Sequence, residues 1–381
     1  MQRKYNAAIR WYQRALPYLR QTRLEAHYAD AGKNLSRVYG LLGRFTEAIT
    51  LCKDSLQIFR KTSNLYGEAY SLNTLGLIRT DMGHPYRGCL RSQDALRLFR
   101  SLDDKRGIGL ACTALGKATR KRAIFEYYSL EEAEQLFREA EKYLKEALTI
   151  FPEQVAEPLR AMEARNELGC VYRDWAMVYR RHGLDPISQE QQAKEQLEHC
   201  LAEASQEWRI ELADNCEDLA QVEFARGPEG YDEALRWLDR AESYVEPEYY
   251  IREDSGLPQI EEPVQGYWLM LGKTSLLRGH ISLARSEMQD AKGETDTSRY
   301  QEEAIHHYVL ATCYFLAYSP RAPGLDTILY SIYGHLRRLS VSRLYILREH
   351  AVRIANIYSI DATRFLEMFD STLGVLKLSS E

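Results

Sequence analysis

No stretch of about 18 apolar residues occurs in this 381-residue chain, so hydropathy offers no transmembrane helix. No amino-terminal stretch has the make-up of a signal peptide, and the expected compartment is the cytoplasm. There is no CxxC. Seven cysteines, an odd number, sit apart from one another, and Cys52, Cys112, Cys200 and Cys216 fall at apolar positions. Small buried thiols in a reducing compartment are expected, not disulfides or metal ligands. An excess of basic residues is also missing. Lys and Arg number 50 against 55 Asp and Glu, and the net charge of -5 argues against a general nucleic-acid binder.

The signatures of catalysis are absent too. No HExxH and no GxSxG occurs. His306 and His307 lie near Cys313, but adjacent helical residues point about 100° apart and make a poor chelate. Gly266 to Gly272-Lys273-Thr274 imitates a phosphate-binding loop. It has five residues between its glycines where four are needed. The expectation is a protein with no catalytic residues, no metal and no cofactor.

What the chain does have is repetition. The stretch Trp268 to Ala291 reads as two short helices broken at Arg278-Gly279-His280. Trp268, Leu271, Gly272 and Ser275 share one face of the first, where Gly272 leaves a notch for a neighbouring helix. Ala284, Met288 and Ala291 share a face of the second. A Leu followed by a small residue recurs at Leu35, Leu75, Leu115, Leu168, Leu219, Leu271 and Leu310, in steps of 40, 40, 53, 51, 52 and 39. Rows spaced 4 then 3, such as Ala48/Cys52/Ser55 and Ala140/Leu144/Ala147, follow six of them. An orphan second helix, Ala8/Tyr12/Ala15, opens the chain. Such a period marks an α-solenoid.

Trp268-x2-Leu271-Gly272 followed by Ala284-x3-Met288 resembles the tetratricopeptide repeat. The shorter-period units resemble its long-linker subtype, common in regulatory scaffolds and in the sensor arms of STAND signalling ATPases. The resemblance covers roughly residues 2 to 317. It implies an all-α fold, a right-handed superhelix of antiparallel helix pairs with a C-terminal helical cap. The repeat's usual tyrosine is kept only as Tyr39 and Tyr172.

The expected layout is a repeat array over residues 1–317 and a helical cap over 318–381. Because the array opens with a half repeat, the chain is expected to be part of a longer one. Pro17 is expected to help stop the first helix. Units three and four are longer, since Leu115 to Ala140 and Leu168 to Ala193 exceed Leu35 to Ala48 by the same amount. Ser129-x-x-Glu132 and Gly183 place that length in their helices more than in loops. An acidic stretch over 242–265 holds Pro247, Pro258 and Pro263 and reads as a long loop. Beyond Ser319-Pro320, helices are expected over 325–339, 341–358 and 361–378, with a basic face of Arg337, Arg338, Arg343, Arg348 and Arg353.

The resemblance implies that the first helices line a concave groove that grips peptides. The positions facing it are Lys33 and Arg37 in the first unit and Asn73, Thr80 and Asp81 in the second. Thr113, Lys117, Arg120 and Lys121 follow in the third, and Asn166, Cys170 and Arg173 in the fourth. The groove is therefore expected to be basic over four units. It turns acidic at Asp214, Glu217 and Gln221, and apolar at Ile305, Tyr308, Thr312 and Phe315. Asn73 and Asn166 resemble asparagines that bond a ligand's backbone in long-linker repeats. The functional expectation is a non-catalytic scaffold or sensor module that binds a protein or peptide segment, an acidic one by the groove's charge. It would form the regulatory C-terminal part of a larger signalling protein, and its partner could be an upstream effector or ATPase domain of the same chain. The alternative is a nucleic-acid-binding solenoid that uses the basic first half of the groove. No membrane partner is expected.

Overall fold

The computed structural model describes residues 5–127, 129–245, 265–291, 298–318 and 363–378, with residues 344, 345, 348, 349, 351, 352 and 356 between them. Among these are fourteen α-helices and no strand. In chain order they begin with α1 (Tyr5–Gln21), α2 (Glu25–Leu41), α3 (Phe45–Lys61), α4 (Leu65–Asp81) and α5 (Pro85–Ser101). Next come α6 (Lys105–Phe125), α7 (Leu130–Ile150), α8 (Pro158–Arg181), α9 (Ile187–Glu203) and α10 (Arg209–Ala225). The last are α11 (Tyr231–Val245), α12 (Gln265–Ala291), α13 (Ser298–Tyr318) and α14 (Thr363–Leu378). Contacts divide the chain into two compact units, Lys4–Val222 and Glu223–Glu381 with Met1–Arg3.

In the unit Lys4–Val222 the helices from α1 to α9 pack largely on their chain neighbours, and the first helices α2, α4, α6 and α8 also pack on one another in series. This is an α-solenoid, all-α and built of helix pairs. Its front half follows one rule. Helices α1 to α5 are of one length, 17 residues each, and short turns join them. The middle turn residue is left-handed at Arg23 (φ 58), Gly43 (71), Ser63 (53), Gly83 (89) and Asp103 (50). The next amide then bonds a carbonyl five positions back, as in Arg44 N–H to Tyr39 (2.9 Å) and Asn64 N–H to Phe59 (2.8 Å). Each turn thereby satisfies helix-end carbonyls and stops its helix. Pro17 does not stop α1, which continues to Gln21.

Two of the helices that follow carry a cap tied to a close approach. Asn64 and Asp104 each accept a bond from the amide of the glycine three positions on, at 2.8 Å from Gly67 and 2.9 Å from Gly107. The same glycines lie against the rings that end the preceding helices. A Cβ at Gly67 would come within 2.2 Å of Phe59, and one at Gly107 within 2.1 Å of Phe99. Both phenylalanines are fully buried. In the longer units, α6 and α7 have 21 residues, α8 has 24 and α9 only 17. The fourth pair therefore takes its extra length in its first helix. Ser129 caps α7 by accepting from Glu132 N–H at 3.2 Å, and Gly183 (φ 70) closes α8.

The unit Glu223–Glu381 departs from the sequence reading. Residues 268–291 are not two helices, because α12 runs unbroken through Arg278-Gly279-His280. Gly279 is there for space. A Cβ on it would meet the Tyr308 ring at 2.6 Å, and one on Gly272 would meet Phe315 at 2.9 Å. The partner of α12 is therefore α13. Arg278 bonds Glu242 (3.0 Å) and Asp239 of α11, which holds that supposed break in place. Ile281, Ser282 and Ser286 are buried, while Ala284 and Met288 are half-buried and Ala291 is exposed. The expected loop over 242–265 lies outside the described residues apart from its ends in α11 and α12. Of the cap, α14 is described, and Arg348 pairs with Asp370 on it at 2.7 Å. Arg337, Arg338, Arg343 and Arg353 lie outside the described residues.

Gly107→Ala is expected to destabilise the chain by about 1–3 kcal/mol, because the fully buried Phe99 has no room to retreat. Gly272→Ala should cost less, since its approach to Phe315 is looser. Urea titrations of both variants against the parent check the order.

Candidate partner-binding face

The first helices bring most of the expected site residues to one face, but not as a bare basic wall. Lys117 and Lys121, one turn apart on α6, both reach Asp81 of α4 at 3.0 and 3.4 Å. Arg120 donates to Asp174 of α8 and, at 3.1 Å, to Glu167. Arg173 donates to Asp174 at 2.9 Å and to Asp218 of α10. Asn166 donates to Asp218 at 2.8 Å and to Asn215 at 3.2 Å. Four cations thus meet four carboxylates in a ladder that steps from α4 to α6, α8 and α10.

Arg120 and Asp174 are buried at 8% and 3% exposure, so neither charge can be supplied with water cheaply. Burial alone would raise the Asp174 carboxyl, but Arg173 and Arg120 outweigh it and hold Asp174 below the ordinary carboxylate range. Burial raises Asp81 likewise, and Lys117 and Lys121 bring it down further than that. The Asp81 charge keeps Lys117 raised against burial. Lys121, pushed down by burial and by its neighbour Lys117, ends lowered. The ladder is a charge-matched structural core, in which each of the four cations meets a carboxylate.

The remaining expected residues divide. Lys33 pairs with Asp30 at 3.1 Å and stands 5.5 Å from the centre of the Tyr70 ring, and Arg37 is exposed. The Thr113 hydroxyl donates to the Gly109 carbonyl at 3.0 Å, within its own helix. Thr80 and Cys170 are buried in helix packing and do not face a groove. Nor do Ile305, Tyr308, Thr312 and Phe315. All four are buried, and Tyr308 and Phe315 close on the glycines of α12. Sequence reasoning missed Glu167, Asp174, Asn215 and Asp218. Each lies beside an expected row and not in it. Comparing neighbouring repeats for opposite charges would have found them.

Asn73, like Arg120 at its Nε, keeps a buried polar atom without a partner among the described residues. It is 6% exposed, and the atom is its carboxamide oxygen. Asn166 occupies the same repeat position, two before the leucine, and finds Asn215 and Asp218 four and one before the next leucine. Beside Asn73 those two positions are Ala111 and Ala114. All seven cysteines are buried and unbridged. Burial pushes the Cys52 thiol up to about 11 and Cys112 to about 12, which removes nucleophilic thiolate. Among the described residues no group of His, Cys, Asp or Glu could hold a metal ion, and no helix is long and apolar enough to cross a membrane.

No protein-family model matches the sequence, and no characterised protein matches it either. Among solved structures, the crystal structure of yeast Tom70 is similar at 12% identity, over 99% of this chain and 93% of that chain, with a TM-score of 0.24.

Asp174→Ala is expected to destabilise by about 3 kcal/mol, since it takes the shared buried carboxylate from Arg120 and Arg173 and leaves them only Glu167 and Asp218. The pH dependence has a definite sign. Asp174 and Asp81 have folded pKa values below their unfolded ones, so their contribution is present above about pH 4 and is lost on further acidification through the folded values. Urea midpoints measured down the acid range should fall less steeply in Asp174→Ala than in the parent.

Proposed function

We propose that the chain is a non-catalytic protein-binding scaffold, which takes up an extended segment of a partner on the face of its first helices. The observation that supports this most is the unpaired Asn73. A buried carboxamide oxygen without a donor costs free energy, and native structures keep few such groups. An Asn73 side chain turned towards the groove would meet the main-chain amide of a bound segment as donor. Lys33 and Arg37 on the neighbouring α2 suit acidic side chains of the same segment. Thr113 lies in the same row on α6, while Lys117, Arg120, Lys121, Asn166 and Arg173 set the spacing of the helices behind it. The partner is thus an acidic or mixed-charge protein segment, engaged at the first two units.

The long-linker resemblance extends the reading to a regulatory or sensor module of a larger cytoplasmic signalling protein. It also suggests an effector or ATPase domain of the same chain as the binding partner. Residues 1–317 are taken as the array and 318–381 as its cap. The nucleic-acid alternative loses its motive. Four of the cations it relied on already have carboxylate partners.

Asn73→Ala provides the test. It removes an unsatisfied group, so the melting temperature should stay level or rise. On an array of extended acidic and mixed peptides of about 12 residues, affinity should fall up to about tenfold for every binder. Lys33→Glu with Arg37→Glu should slow association, most at low salt. If both variants bound the array like the parent, the first-helix face would not be the binding site.

A further inference from the structure

Successive second helices leave a surface interval between them, floored by the first helix they enclose. Four such intervals occur between α1 and α9, and they can be compared position by position. Counting from Ala8 and Gly88 on one wall, Arg20 corresponds to Arg100. Counting from Ala48 and Ala140 on the other, Leu51 corresponds to Tyr143, and Asp54 to Glu146.

The third interval, between α5 and α7, is strapped shut. Arg100 pairs with Glu146 across it at 2.6 Å, and Tyr143 packs against the core below. In the second interval Arg60 pairs with Glu68, and Asp94 is taken by Arg91 and Arg97. The fourth, between α7 and α9, is a cleft of about 490 Å³ filled with charge. There Glu141 accepts from Tyr172 and Lys145, at 2.8 and 2.6 Å.

The first interval, between α1 and α3, is different. It is open, with a volume of about 800 Å³, and its base is apolar, with Leu35 and Tyr39 on the floor and Leu16 and Leu51 on the walls. Tyr39 is fixed from both sides. Gln13 donates to its hydroxyl at 3.0 Å, and the Arg44 guanidinium lies 4.1 Å from its ring centre while also holding Glu47. The strap residues are present, yet Arg20 and Asp54 form no ion pair among the described residues, and both are exposed. One wall therefore carries a free cation and the other a free anion, with an apolar trough between.

We propose that this cleft is a second docking site, which takes an amphipathic helix from a partner protein. A helix laid between two helices presents a stripe at i, i+4 and i+7, and here it would seat on Leu16, Leu35, Tyr39 and Leu51. Charge complementarity fixes its flanks. An acidic residue faces Arg20 and a basic one faces Asp54. Its walls are the second helices α1 and α3 and its floor belongs to α2, and it shares none of Lys33, Arg37 and Asn73 with the face proposed above.

The third interval supplies the control variant. Leu51→Tyr with Asp54→Glu copies Tyr143 and Glu146 and should close the cleft with Arg20 as strap. The probes are fluorescein-labelled helical peptides of about 16 residues with leucines at i, i+4, i+7 and i+11. Their flanks are one Glu row and one Lys row, or Lys on both, or mixed with the leucines replaced by serine. By anisotropy, the mixed-flank leucine peptide should bind saturably, at least tenfold tighter than its serine counterpart. The closed variant should lose at least tenfold with unchanged circular dichroism. Arg20→Glu makes both walls acidic and should move the preference to the all-Lys peptide, which keeps the test alive should the closed variant misfold. The proposal is overturned by absence of saturable binding, by equal binding to the closed variant, or by an unmoved preference in Arg20→Glu. It is overturned too if the parent self-associates in sedimentation and the closed variant does not, since a second copy would then be the occupant.

Discussion

Arg120 and Asp174 are ionised and almost out of water, and the stacking of α6 on α8 depends on that. Two buried charges tolerate little displacement, because each ångström of separation weakens the attraction while the desolvation cost remains. The contact therefore sets the register of one repeat on the next. Glu167, Arg173 and Asp218 extend it towards α10, and Asp81 with Lys117 and Lys121 repeats the device towards α4. Among α1 to α10 the longest helices, α6, α7 and α8, occur where the ladder is densest.

The ladder also decides where a ligand finds purchase. Side chains that would advertise a basic groove are consumed in holding the groove together. Recognition is left to places where the repeat pattern supplies a group without its counterpart. Alanines occupy, in the unit after Asn73, the repeat positions at which Asn166 finds Asn215 and Asp218. Arg20 and Asp54 lack the contact that Arg100 and Glu146 make. In a repeat protein, the departure of one unit from the next is the sharper guide to function.

The helix pairs were legible because each rests on local chemistry. The Leu-small rows, the Ser129 cap and the Gly183 stop act within a few residues of themselves. Tertiary packing defeated the reading elsewhere. Gly279 stands in Arg-Gly-His as a turn glycine would, but no left-handed backbone is needed there, only room for Tyr308. Tyr308 and Phe315 kept the spacing of a groove face and are instead buried against α12, since a row's spacing does not say which side is covered. The candidate face was half legible. Its cations could be listed from the repeat, but their carboxylates lie a position off the row and come from the next unit.

The turns at Arg23, Gly43, Ser63, Gly83 and Asp103 are evenly spaced along the chain and share one backbone shape. A block cut from one turn to the next but one has matching ends and carries one whole helix pair. The front of the chain can therefore lengthen or shorten by whole repeats without inventing a new junction. Past Asp103 the four helices α6 to α9 no longer share a length, and no two junctions are interchangeable. Growth of this array is open at the front and closed across the ladder, so a partner's reach along it could be retuned on one side only.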